Sequence, residues 1–463
     1  MKKGGFRAGA SVHDPAIYLH KDGTYYIFGT HMTAAKSTDL RHWECFAEWV
    51  RPENPLFEGL LDDVGSSEKN AFSFTEKFNG RGYAVWAPDV SYNPYLEKYV
   101  MYFCTTGSYI KSAICMAVAD EVEGPYRYVD TLLCSGFEAN TVDKTNVTEI
   151  LGDKEGYQKY LKKNGKYNNL AWPNCIDPNL YHDREGRLWM VYGSWSGGIF
   201  VLEIDEKTGY PIRPAEDKKN HVDAYFGKKI LGGGHKSIEG PYVLYDKVSD
   251  YFYLFVSYGW LGRDGGYQIR LFRSENPDGP FVDMNGQNIF RVPQHEPYGL
   301  KLMGNYTLPS LAAGYKAPGH NSAFCDRDGK LYVVHHQRFD LEHEGHEPRV
   351  HQLFRTADGW LTVCPFATNG ESLLEKGNPE ELSGTYYVVD HGLDISGEMH
   401  LPVEMEIKVG ENLEIKEDGN IFLTMEGVRY EGAVCKMTDE AENSVLCISA
   451  VGENRSVWGV KYV

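Results

Sequence analysis

No segment of this chain approaches the roughly 18 consecutive apolar residues of a helical membrane span. The start, MKKGGFRAGASVHDP, is basic but has no apolar stretch behind the charges. No secretory leader is therefore expected, and the protein is expected to be cytoplasmic, or secreted with its leader already removed. Positive charge is in short supply. Against 65 Asp and Glu stand 47 Lys and Arg, a net charge of −18, which argues against nucleic acid or an anionic membrane as partner and tolerates a neutral polymer. Cysteine is sparse and odd in number, nine in 463 residues, with no close Cys-x-x-Cys spacing. That pattern points to reduced thiols rather than a disulfide framework or a zinc site.

What the chain does have is rings: 32 tyrosines, 21 phenylalanines and 9 tryptophans. Most belong in strand cores, and a few suit sugar binding, because flat rings pack on the apolar faces of sugars. Five stretches share one grammar: HDPAIYLHKDGTYYIFGT, WAPDVSYNPYLEKYVMYFCTT, IDPNLYHDREGRLWMVYGS, IEGPYVLYDKVSDYFYLFVS and PGHNSAFCDRDGKLYVVHH. Each opens on a polar residue beside Pro or Gly, then runs strand, tight polar turn, aromatic strand. Outer-strand motifs follow, such as AVADEVEGPYRYVD and LFRSENPDGPFVD. Four strands per unit at this spacing predict an all-β, five-bladed β-propeller over residues 1–370. After a polar linker around ATNGESLLEKGNPEELSG, short alternating strands predict a small antiparallel β-sandwich or barrel over 371–463. Residues 131–170 interrupt the repeat with a polar, partly helical segment, expected as a long loop between the second and third units.

The first strand of each propeller blade lines the central channel, so the five openings should converge. They carry Asp14, Asp89, Asp177, Glu239 and His320 at matching positions. Four carboxyls beside an imidazole in one small space raise one another's pKa through their like charges, which helps keep one of them an acid near neutral pH. The histidine-rich run HHQRFDLEHEGHEPRVHQ holds His335, His336, His343, His346 and His351; its spacing is too irregular to make it a metal site. The acidic stretch GLLDDVGSSEKN is expected as a solvated loop.

HDPAI, WAPD, IDPNL, IEGPY and PGHNSAF, in that order, resemble the blade openings of glycoside hydrolase family 43, and within it the two-domain endo-α-1,5-L-arabinanases. The resemblance covers the whole chain. It implies Asp14 as general base, Glu239 as general acid, Asp177 as the carboxylate that tunes and orients the acid, and His320 as the histidine beside a Ca2+ ion at the channel centre. It implies sugar contacts from Asn174, Cys175, Ile176 and Asp177, from Ser194, Trp195 and Ser196, and from Gly107; Trp86 is a further candidate for stacking. Cys175 departs from the usual small apolar residue. GHEPRVHQ falls, by this resemblance, at a structural turn closing the fifth unit, and Asp89 lies outside the catalytic three.

The chemistry suits these residue types. An inverting glycosidase needs one carboxyl to protonate the leaving oxygen and another, about 6.5–9.5 Å away, to activate water on the opposite face of the sugar. The expected function is inverting cleavage of internal α-1,5-L-arabinofuranosidic bonds in arabinan, by a monomer. The rival readings are an exo-acting α-L-arabinofuranosidase or β-xylosidase on the same fold, and a non-catalytic sugar-binding propeller.

Overall fold

The computed structural model describes residues 1–62, 64, 69–290, 298–369, 371–374, 379–416 and 419–463. Position 63 and positions 65–68 of the acidic stretch, and positions 370 and 375–378 of the expected linker, lie outside the described residues. The chain is all-β, with only a few short helices. Two of its sheets, Ala16–Leu19 to Glu44–Ala47 and Ala84–Asn93 to Arg127–Ser135, are four-stranded and antiparallel with strands in sequence order. Tyr315–Cys325 to Leu361–Val363 is built the same way. A six-stranded sheet begins at Asn179–His182, and a larger one begins with Ile238–Asp246, Tyr251–Tyr258, Gln268–Ser274 and Leu300–Met303. The first strand of each sheet touches the first strand of the next, and Tyr315–Cys325 touches Ala16–Leu19, which closes a propeller-like circle.

The second strands explain why the units pack this way. KYVMYFCTT (98–106) and YFYLFVSY (251–258) are buried almost throughout. Strands covered on both faces read as continuous apolar runs rather than alternating ones. Gly23, Gly186 and Gly329 in the hairpin turns have positive φ, the backbone state glycine adopts without steric cost.

GHEPRVHQ is not a turn. His346–Arg355 is a ten-residue strand paired along its neighbour Leu331–Phe339. The turn was implied by the resemblance; Pro348 is instead buried within the strand, opposite His336. The interrupting segment carries short helical turns at Val142–Lys144, Val147–Leu151 and Gly156–Tyr160.

The C-terminal β-domain runs from Gly384–Asp390 to Arg455–Tyr462 around its own core of Tyr386, Ile407, Leu423 and Ile448. It is joined to the propeller-like part: Arg455 pairs in parallel with Lys301, so both belong to one twelve-stranded sheet. Leu300, Leu302, Leu361 and Phe366 share a core with Val389, Cys447, Trp458 and Val460. The nine cysteines are all free thiols. Among the described residues, no helix is long and apolar enough to cross a membrane.

Candidate active site

At the opening of each unit one residue adopts a left-handed backbone: Asp14 (φ 56°), Ala87 (φ 38°), Asp177 (φ 58°), Gly240 (φ 57°) and His320 (φ 42°). Four precede Pro, and three lie where the strand register shifts, between Trp86 and Asp89, Glu239 and Tyr242, and Gly319 and Ser322. Bulges of this kind re-aim side chains next to functional sites. This corrects one expectation. Asp14, Asp177 and His320 are structurally equivalent, but Glu239 stands one residue before its unit's kink and Asp89 two residues after. The repeat had been aligned on charge, whereas the backbone aligns on the residue at the kink.

Asp14 is held by an unusual number of groups. Thr30 Oγ1 donates to Oδ2 at 2.5 Å, and Thr30 Oγ1 in turn accepts from the Ala87 amide at 3.0 Å. His13 Nδ1 lies 2.7 Å and His320 Nδ1 3.1 Å from Oδ1, with His336 Nδ1 at 3.7 Å. Burial pushes this carboxyl up, but the imidazoles of His13, His320 and His336 outweigh burial and hold it well below the usual carboxylate range. Asp14 is therefore an ionised, immobilised carboxylate. His336 is fully buried beneath it, its ring 4.0 Å from that of His13. Burial keeps His336 well below the usual imidazole pKa.

Glu239 accepts from Tyr267 Oη on Oε1 at 2.8 Å, and from Ser194 Oγ (3.0 Å) and Trp195 Nε1 (2.9 Å) on Oε2. Asp177 accepts from the Gly240 amide at 3.2 Å. Burial raises both carboxyls. For Asp177 the charges of Glu239 and Asp14 add to that and carry it well above the usual range; for Glu239 the Tyr267 hydrogen bond and His320 oppose the rise. Burial and mutual repulsion make the two titrate as a pair. The expectation was an ionised Asp177 beside a protonated Glu239. Three donors reach Glu239 against one on Asp177, so hydrogen bonding favours charge on Glu239 more than on Asp177.

The remaining expected site residues fall in two groups. Ser194 and Trp195 bind Glu239 directly, and Trp86 is half-buried with its ring 5.3 Å from that of Phe78. Asn174, Cys175, Ile176 and Ser196 are buried. Asn174 fixes the neighbouring loop by donating to the Tyr109 carbonyl at 2.8 Å, and the Cys175 amide donates to Ser135 Oγ at 2.9 Å. Burial holds the Cys175 thiol well above its usual pKa, so it is a packed thiol rather than a reactive one. Gly107 is needed for close approach: a Cβ there would stand 2.0 Å from the Thr75 carbonyl oxygen. Asp89 accepts from the Leu180 amide (2.7 Å) and from Asn179 Nδ2 (3.0 Å), clamping one first strand to the next. Of the histidine run, only His336 and His346 adjoin the site, the latter 5.0 Å from the His13 ring; His335 and His351 pair in the core. Sequence reasoning missed Tyr267, Thr30 and His13, and singled out His336 only within a histidine run it set aside; of the missed three, only His13, adjacent to Asp14 in HDP, carried a visible signal.

Beneath the kinks a cavity of about 20 Å3 is lined by Asp14, Asp89, Asp177, His320 and Asn321. That is room for one water or one ion. Both polar atoms of the Asn321 amide are buried there without a partner. Burial pushes Asp89 up to about 7. Buried acceptors without a balancing cation suit a hard divalent ion, which prefers oxygen donors. The residues present thus fit calcium. His13, Asp14 and His336 also bring one ligand atom each within 4.8 Å of one another, but those imidazoles already serve to hold Asp14.

The family model described as Glycosyl hydrolases family 43 matches residues 153–361, and that described as a C-terminal lipocalin-like domain matches residues 365–459. The chain is 36% identical over 475 residues to the extracellular endo-alpha-(1->5)-L-arabinanase 2 of Bacillus subtilis (strain 168), covering 97% of this chain and 93% of that protein. It is 36% identical over 478 residues to the extracellular endo-alpha-(1->5)-L-arabinanase of Thermotoga petrophila, covering 98% and 94%. The crystal structure of the glycoside hydrolase, family 43 YxiA protein from Bacillus licheniformis superimposes with a TM-score of 0.85 at 36% identity, covering 99% of each chain.

Proposed function

The chain belongs to glycosyl hydrolase family 43, and from that premise we propose that it cleaves internal α-1,5-L-arabinofuranosidic bonds of arabinan with inversion. The observation that carries this reading is one carboxylate, Asp14, gripped by Thr30 and three imidazoles and held well below its usual pKa, facing a second pair of carboxyls, Glu239 and Asp177, that are raised above theirs. Inverting hydrolysis needs that division between an ionised base and a protonated acid.

Asp14 is the general base. Thr30 on Oδ2, and His13 and His320 on Oδ1, fix its orientation for the water it would activate. Glu239 is the general acid and protonates the leaving oxygen. Asp177 is the third carboxyl, which helps orient the acid and, when ionised, raises the pKa of Glu239. Trp195 and Ser194 orient the acid, and Trp86, Gly107, Asn174, Cys175, Ile176 and Ser196 shape the sugar-binding walls, the buried ones from behind. His320 and Asn321, which line the small cavity, would hold calcium. When bound, that ion would supply positive charge favouring ionised Asp14. The catalytic unit is read as five-bladed over 1–370, counting the six-stranded sheet and the first four strands of the twelve-stranded sheet as blades, with the β-domain over 371–463.

Product analysis on linear arabinan tests the reading. Endo action gives a ladder of oligosaccharides at early times, and monosaccharide alone from the start would assign exo action instead. Glu239→Gln, Asp14→Asn and Asp177→Asn are each expected to lose at least about 100-fold in kcat with unchanged circular dichroism. A variant that keeps most of its activity removes that residue from the assignment.

A further inference from the structure

A second cavity, of about 720 Å3, lies on the outer side of the 179–231 sheet, within the range of about 300–1,000 Å3 typical of ligand pockets. It is not the catalytic channel, and the interrupting segment builds part of its wall through Lys159 and Leu170. The rings of His221 and Phe290 stack there with centroids 4.5 Å apart and planes 27° apart. Leu170, an apolar side chain 53% exposed, stands beside them. The charged lining is mixed. Lys159 pairs with Glu216 at 2.9 Å and Asp223 at 2.8 Å, and Lys218 and Lys229 complete it. In a chain of net charge −18, a wall with both donors and acceptors beside flat rings suits a neutral, hydroxyl-rich ligand rather than a polyanion.

Its connection to the acid is short. The Gly234 amide donates to the Leu170 carbonyl at 3.2 Å. The next residue, His235, has its ring 5.5 Å from that of Trp195, whose Nε1 donates to Glu239. We propose that this cavity is a distal sugar-binding site that takes arabinofuranosyl residues of the polymer, or of a branch on it, beyond the bond being cleaved, on the side of the cleft where Glu239 stands. This rests on the arabinan reading. The interrupting segment then has a purpose that the catalytic residues do not explain: it extends the grip on long chains.

Two variants test it. Phe290→Ala removes one ring, and Leu170→Arg places a long cation at an exposed position where folding is unaffected. Both are expected to raise KM for linear arabinan about three- to tenfold, the range of a lost aromatic stack, with kcat unchanged and kcat/KM on arabinotriose unaltered. In native gels containing arabinan, Glu239→Gln is expected to be retarded, and Glu239→Gln with Phe290→Ala less so. The site is overturned if both variants keep the wild-type polymer KM and the same retardation, or if the trisaccharide is affected as much as the polymer. A wild-type protein that releases no sugar from arabinan overturns the functional reading itself, a separate result.

Discussion

At the scale of single residues, Tyr267 bears on the proposed acid, Glu239. Its hydroxyl donates to Glu239 Oε1 and so favours the charged carboxylate. Tyr267→Phe removes that donor and raises the pKa of Glu239. A general acid loses activity as pH rises through its pKa, so the alkaline limb of the kcat/KM profile is expected to move to higher pH. An unmoved or lowered limb would show that Tyr267 does not act through Glu239. Asp14, Asp177, Glu239 and His320 were legible in the sequence because each lies at or beside a kink marked by Pro or Gly. Tyr267 was not, because in GGYQIR it looks like any other ring beside a strand, and its place next to Glu239 comes from the pairing of Ile238–Asp246, Tyr251–Tyr258 and Gln268–Ser274 in one sheet. The misalignment of Asp89 and Glu239 has the same origin: charge is visible in sequence, and a left-handed φ at Ala87 is not.

At the scale of elements, the hairpin grammar was legible because aromatic runs and turn glycines are local signals. The joint between the two β-parts was not, since it depends on one strand, Leu300–Met303, with no motif of its own. Lys301 on that strand is buried and bonds the Asp394 carbonyl (3.0 Å), the Asp394 carboxylate (3.1 Å) and His400 Nε2 (3.2 Å). Burial pushes its ammonium down to about 8, against the pull of Asp394 and with the help of the Arg270 cation. Unfolded, it titrates near 10.4. Between about pH 8 and about pH 10.4 the unfolded chain holds a proton that the folded one has released, so stability from this residue rises with pH across that window and is constant and lowest below it. The gain amounts to at most about 3 kcal/mol. Lys301→Met abolishes the slope. Thermal unfolding at pH 8 and pH 10 is expected to show the wild type gaining on the variant at the higher pH. A constant difference would refute the buried ammonium.

At the scale of the whole molecule, the β-domain is part of how the catalytic part holds its shape. Its 391–400 stretch lies over the strand that carries Tyr267. The Asp394 carbonyl accepts from Gln268 Nε2 (3.1 Å) and Lys301, and the Leu393 carbonyl accepts from Arg270 at 2.7 Å. Asn305 Nδ2 donates to the Gly397 carbonyl at 2.8 Å. A Cβ on Gly397 would stand 2.3 Å from the Asp264 carbonyl oxygen, so the fit allows no side chain there. A chain ending at residue 369 loses these contacts together with the Arg455 partner of Lys301. It also uncovers Leu300, Leu302, Leu361 and Phe366, each worth about 1.5–3 kcal/mol when buried, and bares an apolar strand edge that invites association. The truncated protein is expected to unfold at least about 10 °C lower, to run as aggregates on size exclusion, and to lose kcat because Tyr267 no longer has a fixed strand to stand on. A truncated protein that stays monodisperse with wild-type kcat would mean that the propeller positions its own acid, and that the β-domain serves binding or solubility alone.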